Sequence, residues 1–569
     1  MSRIVAHSLP TGKLLPLFVV SISILTLALT PHAIASGPYV IGSGNTVTAD
    51  PNITRPSTKP CVVPLLDHAQ FANFTPNTFT YTPPTDCPGP WAKVIFTANI
   101  TVTPGIQFDR TANFWLGATN IYFGTTAEPS PNLGPKWHVE SDLTDYTPIF
   151  MITQQGTADI GNIVGQDGLT GIIFASANLE FFPLAHGQTA PVTANAVLPL
   201  SAGPTGGTVS LNNTASTLSG TFTLPTNIEN AYLDVFAQSQ SNDEFWYTCV
   251  PNDVSAELFS CGNTGFRETE ITIDNQPAGV APVFPWIFTG GIDPFLWFPI
   301  PGVQTLNFVP YRVDLTPFAA LLSNGQPHTV SLGVFNANSS FSATASLLLY
   351  LDAGSTQVTG ALTKNTLAAS PTPVVTENLN ATSTAITGNV KVTSNRSFVL
   401  SGFVNTSHGK VITTLAQGES FANRQSFKIN NSTFQQDISQ ATDVHTQTTV
   451  AASGKPTVTN VRNFEFPLTV DIVQQVQSSG NINQTTTISQ TYDVQQFTSQ
   501  NGTPFTSLLT NAAEHQDTLV FNSSGQLVSS MNQSSAQLYD AIDSTGASYV
   551  CTLTAANNAL TSFAKTCSK

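Results

Sequence analysis

Charge is what this chain has least of. Of 569 residues only 9% are Asp, Glu, Lys or Arg, and acids outnumber bases by 34 to 19. A surface so poor in cations argues against nucleic acid and anionic membranes as partners, because both are gripped through clustered Lys and Arg. Few ionisable groups also mean few pH-linked penalties, so tolerance of acid is expected. Helical periodicity is almost absent. Missing too are the motifs of metal and nucleotide chemistry: there is no HExxH, no C-x-x-C pair, no G-x-S-x-G elbow, no phosphate loop and no EF-hand run. The nine histidines are scattered singly, and only His138 and His408 fall in distinctive segments. Neither metal nor cofactor is expected.

Cysteine is scarce but even in number. Cys61, Cys87, Cys249, Cys261, Cys551 and Cys567 form three sequence-local pairs. The most economical of the fifteen connectivities joins Cys61 to Cys87, Cys249 to Cys261 and Cys551 to Cys567. With all six oxidised, no thiolate remains for Cys-His catalysis. An oxidising compartment agrees with the first residues, where Arg3 and Lys13 precede the apolar run Leu14 to Leu29 and then Ala33-Ile34-Ala35. That order is a secretory leader, residues 1–35, cut after Ala35. An uncleaved anchor is the alternative, although no basic stop-transfer run follows. Loss of Arg3 and Lys13 takes the net charge from −15 to −17. A secreted or periplasmic, soluble, monomeric protein with no membrane partner is the expectation.

What the chain has in quantity is strand patterning. Val94, Phe96, Ala98, Ile100 and Val102 alternate with Lys93, Thr97, Asn99 and Thr101, the signature of a half-buried strand. Residues 36–90 read as an extended N-terminal arm, 91–205 as a first β-sandwich and 206–355 as a second, entered through the turn-rich Ser201 to Gly207. Residues 356–376 read as a linker and 377–569 as a further β domain. The run Tyr311 to Phe318 echoes Val139 to Tyr146, and in the second copy Thr316 and Pro317 are placed as cap and first residue of a short helix. A shared strand end in two units hints at duplication. An all-β, multi-sandwich fold is the economical reading.

With metal and thiolate chemistry set aside, carboxylates remain. Asp109 beside Arg110 offers an acceptor and a planar donor fork in a segment that otherwise reads as strand, although strand neighbours point oppositely. Asp243 and Glu244 sit in Asn242-Asp243-Glu244-Phe245-Trp246-Tyr247, where aromatics would raise a carboxyl pKa and could stack on sugars. A structural ion pair for the first and an ordinary core cluster for the second stand as the plain alternatives.

Four segments, QFDRTANFWLGATNIYFGTTAEPS, ENAYLDVFAQSQSNDEFWY, PVFPWIFTGGIDPFLWFPI and SFVLSGFVNTSHGKV, resemble the peptide-N-glycosidase A family in order, over a stretch from Pro51 into the C-terminal third. The resemblance implies an enzyme that hydrolyses the amide between asparagine and the first N-acetylglucosamine of an N-glycan, and tolerance of core α1,3-fucose. Its partners would be N-glycosylated peptides or glycoproteins. Shorter motifs resemble the F-type peptide-N-glycosidases, which implies two adjacent jelly-roll β-sandwiches with the site at their junction. Carried over by position, Asp109 becomes the water-activating or attacking carboxylate, Arg110 a positioning cation and Glu244 the partner that fixes the first sugar. Asp243, Trp246, Trp115 and Glu180 are expected to line the substrate, Glu180 being the nearest candidate for a third carboxylate. A noncatalytic carbohydrate-binding or adhesin-like β protein is the alternative function. The fourteen N-x-[ST] sequons, in a chain this rich in Asn, Ser and Thr, identify no host.

Overall fold

The computed structural model describes residues 39–455, 457–500 and 503–567; the leader expected over 1–35 lies outside them. Three β bodies follow one another. In the first, eight strands run Cys61–Phe71, Asn77–Tyr81, Trp91–Val102, Thr111–Leu116, Thr119–Thr125, Lys136–Asp142, Gln154–Ile160 and Ile173–Pro183. Numbered in that order, they form two four-stranded sheets, 1-8-3-6 and 2-7-4-5. The second body repeats both orders with Val209–Leu211, Thr217–Thr223, Ile228–Gln240, Glu268–Ile273, Gln276–Pro282, Tyr311–Asp314, Pro327–Phe335 and Ser340–Leu351. Two sheets in this order are the double Greek key of a jelly roll, so the chain holds two adjacent jelly rolls.

The alternation that predicts the third strand is realised: Val94, Phe96, Ala98, Ile100 and Val102 all lie in the core of the first sandwich. The echoed strand ends are also equivalent in space. Leu143 N donates to Val94 O and Leu315 N to Ala231 O, each bond 2.9 Å long. The cap, however, is not Thr316. Asp142 Oδ1 accepts from Thr144 N at 3.0 Å, and Asp314 Oδ1 accepts from Thr316 N at 2.9 Å. A carboxylate two residues back competes better for the free amide than a hydroxyl on the turn itself.

Three sequence boundaries move. The expected arm, 36–90, supplies the first two strands of the first sandwich, closed by the Cys61–Cys87 disulfide. Ala196–Leu200, before the expected start at 206, pairs with Ser340–Leu351 and extends the second sandwich. The expected linker, 356–376, contains Thr359–Asn365 and the start of Val374–Ala381, both paired with Ala385–Thr406. In the first and third cases long-range pairing overrides a Pro- and Thr-rich composition. Cys249–Cys261 and Cys551–Cys567 complete the disulfides as expected, and no described cysteine is free.

The third body is a single twelve-stranded sheet spanning Thr359–Phe563, with strands as long as the 22 residues of Ala385–Thr406 and Gly409–Asn430. Its inward face packs on the second sandwich in one continuous core, where Phe398, Leu400, Leu415 and Phe421 meet Leu315, Phe318 and Trp246.

Candidate active site

The two sandwiches meet through topologically equivalent loops. Between strands 3 and 4, the first sandwich carries Asp109 and Arg110, and the second carries Glu244. Between strands 5 and 6, the first carries Glu128, and the second carries Gly290 within the long segment 283–310. That segment lies against the fifth strand of the first sandwich. Phe308 N donates to Phe123 O at 2.9 Å, Thr125 N to Thr305 O at 3.0 Å, and Thr289 Oγ1 to Thr126 O at 2.8 Å. A further bridge runs from Gln240 Nε2 to Thr111 Oγ1 at 2.9 Å, beside both 3–4 loops. Pairing of this kind fixes the relative position of groups contributed by two domains.

Asp109 and Arg110 are loop residues rather than strand residues, since the strand starts at Thr111. Freed from strand alternation, they act in one place. Asp109 N donates to Glu128 Oε1 at 3.0 Å, while Arg110 N donates to Thr126 Oγ1 at 2.8 Å. The carboxyls of Asp109 and Glu128 interact with each other, and both lie against the backbone of Gly290. Gly290 is needed for its lack of a side chain: a Cβ there would overlap Asp109 Oδ1 and Glu128 Oε1 together.

Burial pushes the Asp109 carboxyl up from its ordinary value, and its own backbone amide, the Glu128 side chain, the Arg110 charge and the Gly290 backbone pull it back. Burial and then the Asp109 charge hold Glu128 well above the ordinary range. Glu244 is raised to about 8 by burial first and by Asp109 second. Glu244 stands within electrostatic reach of Asp109, and burial with mutual repulsion favours the neutral form of these carboxyls, most strongly at the two glutamates. Arg110 donates to Gln107 Oε1 at 2.7 Å through one terminal nitrogen; its Nε is buried without a partner. The guanidinium carbon stands 5.7 Å from the Phe108 ring centroid, and that ring is 57% exposed at the mouth of the site.

The other residues expected to line the substrate do something else. Asp243 is fully buried: its Oδ1 takes both Nε and a terminal nitrogen of Arg267, at 3.1 and 2.9 Å. Its Oδ2 takes the backbone amides of Asn338, Ser339 and Ser340. With every lone pair occupied, Asp243 anchors the turn that presents Glu244. That turn swings through Ser241, which adopts a left-handed φ of 56°. Trp246 is completely buried against Phe421 of the C-terminal sheet, and Trp115 is sealed beneath Gly206. Neither indole can stack on a sugar. Glu180 pairs with Arg55 at 3.2 Å, in a network with Glu140 and His138 on the first sandwich. The third carboxylate beside Asp109 is Glu128 instead. Glu128 and Gly290 carry no signal of their own in the sequence, although TTAEPS and FTGGID both lie within the distinctive segments. Phe245, by contrast, is half-buried, with its ring near Gly291. Among the described residues, no three His, Cys, Asp or Glu side chains are grouped as metal ligands.

The C-terminal sheet holds these loops from behind. Asn423 Nδ2 donates to Tyr247 O at 2.8 Å, Gln425 Nε2 to Cys249 O at 2.9 Å and Gln436 Nε2 to Thr248 O at 3.2 Å. Gln490 clamps the segment around Gly290 at two points, donating to Pro285 O at 2.7 Å and accepting from Val303 N at 2.9 Å.

Several known proteins are similar to this chain. Among solved structures, PNGase F, a glycosylasparaginase from Flavobacterium meningosepticum, is 15% identical, with a TM-score of 0.35 over 52% of this chain and 96% of its own. PNGF-II is 13% identical, with a TM-score of 0.36 over 52% of this chain and 66% of its own. The peptide-N4-(N-acetyl-beta-glucosaminyl)asparagine amidase A of Prunus dulcis is 32% identical over 393 residues, 65% of this chain and 67% of that protein. The model of the family described as peptide N-acetyl-beta-D-glucosaminyl asparaginase amidase A matches residues 51–368, which contain both jelly rolls and Asp109, Arg110, Glu128, Glu244 and Gly290. To that family this chain belongs.

Proposed function

We propose that the protein hydrolyses the amide joining asparagine to the first N-acetylglucosamine of an N-glycan. The observation that carries the reading is the meeting of Asp109, Arg110 and Glu128 of one jelly roll with Glu244 of the other, three carboxyls that burial raises above their ordinary values. Asp109 orients and deprotonates a water, whose oxygen attacks the side-chain carbonyl carbon. Arg110, with its unpaired Nε, and neutral Glu244 supply donors for the oxyanion and the sugar. The carbon–nitrogen bond breaks as a proton passes to the leaving nitrogen. Aspartate remains on the peptide, and the glycosylamine decays to ammonia and free sugar. Phe108 and Phe245 offer ring surface to the sugar.

Finer features belong to the same proposal. Work at acidic pH rests on the scarcity of ionisable groups in the chain. Three disulfides support action outside the cytosol. A single chain suffices, because its own two sandwiches complete the site. Tolerance of core α1,3-fucose rests on the family resemblance. Incubation with a defined glycopeptide, read by mass spectrometry, tests the reading. Release of intact glycan with aspartate at the sequon is expected. N-acetylglucosamine retained on asparagine would mean a glycosidase, and binding without cleavage would mean a noncatalytic lectin-like protein.

A further inference from the structure

Behind the catalytic loops, the second sandwich and the C-terminal sheet do not close completely. They leave a cavity of about 200 Å³ between Tyr311–Asp314 and the inward face of the large sheet. Around it the sheet face is polar where the neighbouring rungs are apolar. Gln417, Thr446, Arg462 and Gln496 are register partners across four adjacent strands, and Thr448 and Asn460 form the next rung. Register partners share a face, so these side chains make one ladder. Opposite stand Tyr232 and Tyr311, each half-buried.

The charges opposite this ladder already have partners. Arg312 is held by Asp234 at 2.7 Å and Asp145 at 2.6 Å, and Asp314 takes Thr316 N and Thr448 Oγ1. Left over are neutral amides and one cation. Asn230, Asn460 and Gln496 line the cavity without a side-chain hydrogen bond, and Arg462 Nε is buried with no partner. The Arg462 guanidinium lies 5.0 Å from the Phe464 ring centroid, within electrostatic reach of Asp314 and Tyr311, and makes no ion pair at contact distance among the described residues. An interface that buries polar groups at a cost, with their bonding capacity unspent, is organised for a polar guest.

We infer that this interdomain cavity is a second saccharide-binding site, distinct from the carboxylates at the sandwich junction and selective for neutral, hydroxyl-rich sugars. Amides that both donate and accept match the alternating hydroxyls of a pyranose, the tyrosine rings cover its apolar face, and Arg462 donates to a hydroxyl or ring oxygen. No cavity residue belongs to the loops that carry Asp109, Glu128, Glu244 or Gly290, so this inference does not depend on the amidase reading.

Calorimetric titration of the full-length protein tests it, with mannotriose and triacetylchitotriose as neutral probes and a glucuronate-containing trisaccharide and inorganic phosphate as anionic ones. At least one neutral trisaccharide should bind, about tenfold or more weaker in Arg462→Ala and in Asn460→Leu, and equally well in Glu244→Gln. Asn460 is half-buried at the cavity edge, so its variant keeps the test valid if Arg462→Ala unfolds; melting curves distinguish the two. Glycopeptide cleavage, assayed in parallel, should be unchanged by Arg462→Ala. No saccharide binding, binding indifferent to both cavity variants, or binding of the anionic probes alone would overturn the assignment.

Discussion

Asp109, Glu128 and Glu244 are worth more together than any one of them is alone. Each is held above its ordinary pKa chiefly by burial, and the charge on Asp109 raises both glutamates further. Glu128→Gln removes the proton that Asp109 shares while keeping an acceptor for Asp109 N. A fall in kcat of about 10²-fold or more, with little change in KM, is therefore expected in steady-state assays on a glycopeptide. Gly290→Ala pushes a methyl group between the two carboxyls. It should abolish activity, by about 10²-fold or more, while the melting temperature moves by only a few degrees. Asp109 and Glu244 are legible in the sequence because an acid among aromatics is anomalous. Glu128 in TTAEPS reads as an ordinary turn residue, and Gly290 has no side chain to notice; only the meeting of two loops reveals either.

Elements at this junction are tied to the C-terminal sheet by amides rather than by ions. Gln490→Leu strands Pro285 O and Val303 N, both inside the interface, and should lower stability by about 2–4 kcal/mol in urea unfolding. A different contact sets the pH response. Glu268 of the second sandwich and Glu419 of the sheet converge on Arg396, with Glu270 3.7 Å from the same guanidinium. One oxygen of each of these glutamates is buried without a hydrogen bond. Burial lifts Glu419 to about 7 from its usual 4.5, and Glu268 well above that usual value. Acids raised in the folded state contribute stability that is complete below the usual value and lost as pH climbs through the raised one. The melting temperature should thus fall between about pH 4.5 and 7, and Glu419→Gln should flatten that fall in a pH series of melting curves. None of this is legible in sequence. The charge scarcity suggests acid tolerance, but Glu268, Arg396 and Glu419 are brought together only by docking the sheet.

Across the whole molecule, the β class and the doubling are plain from periodicity and from the repeated Asp-Leu-Thr strand end. The single large sheet is not. Its strands pair over long separations, its edge strands Thr359–Asn365 and Val374–Ala381 have linker composition, and its inward amides look solvent-facing until the second sandwich covers them. Duplication also explains where the proposed site lies. Equivalent loops of two copies converge, so each copy supplies half of a site that neither completes. The claim rests on Asp109 as the group that activates water. Cleavage of a glycopeptide in ¹⁸O-labelled water, followed by mass spectrometry for the wild type and for Asp109→Asn, tests it most directly. The account predicts one labelled oxygen in the new aspartate for the wild type and a rate lower by about 10³-fold or more in the variant. Wild-type rates from Asp109→Asn would contradict it.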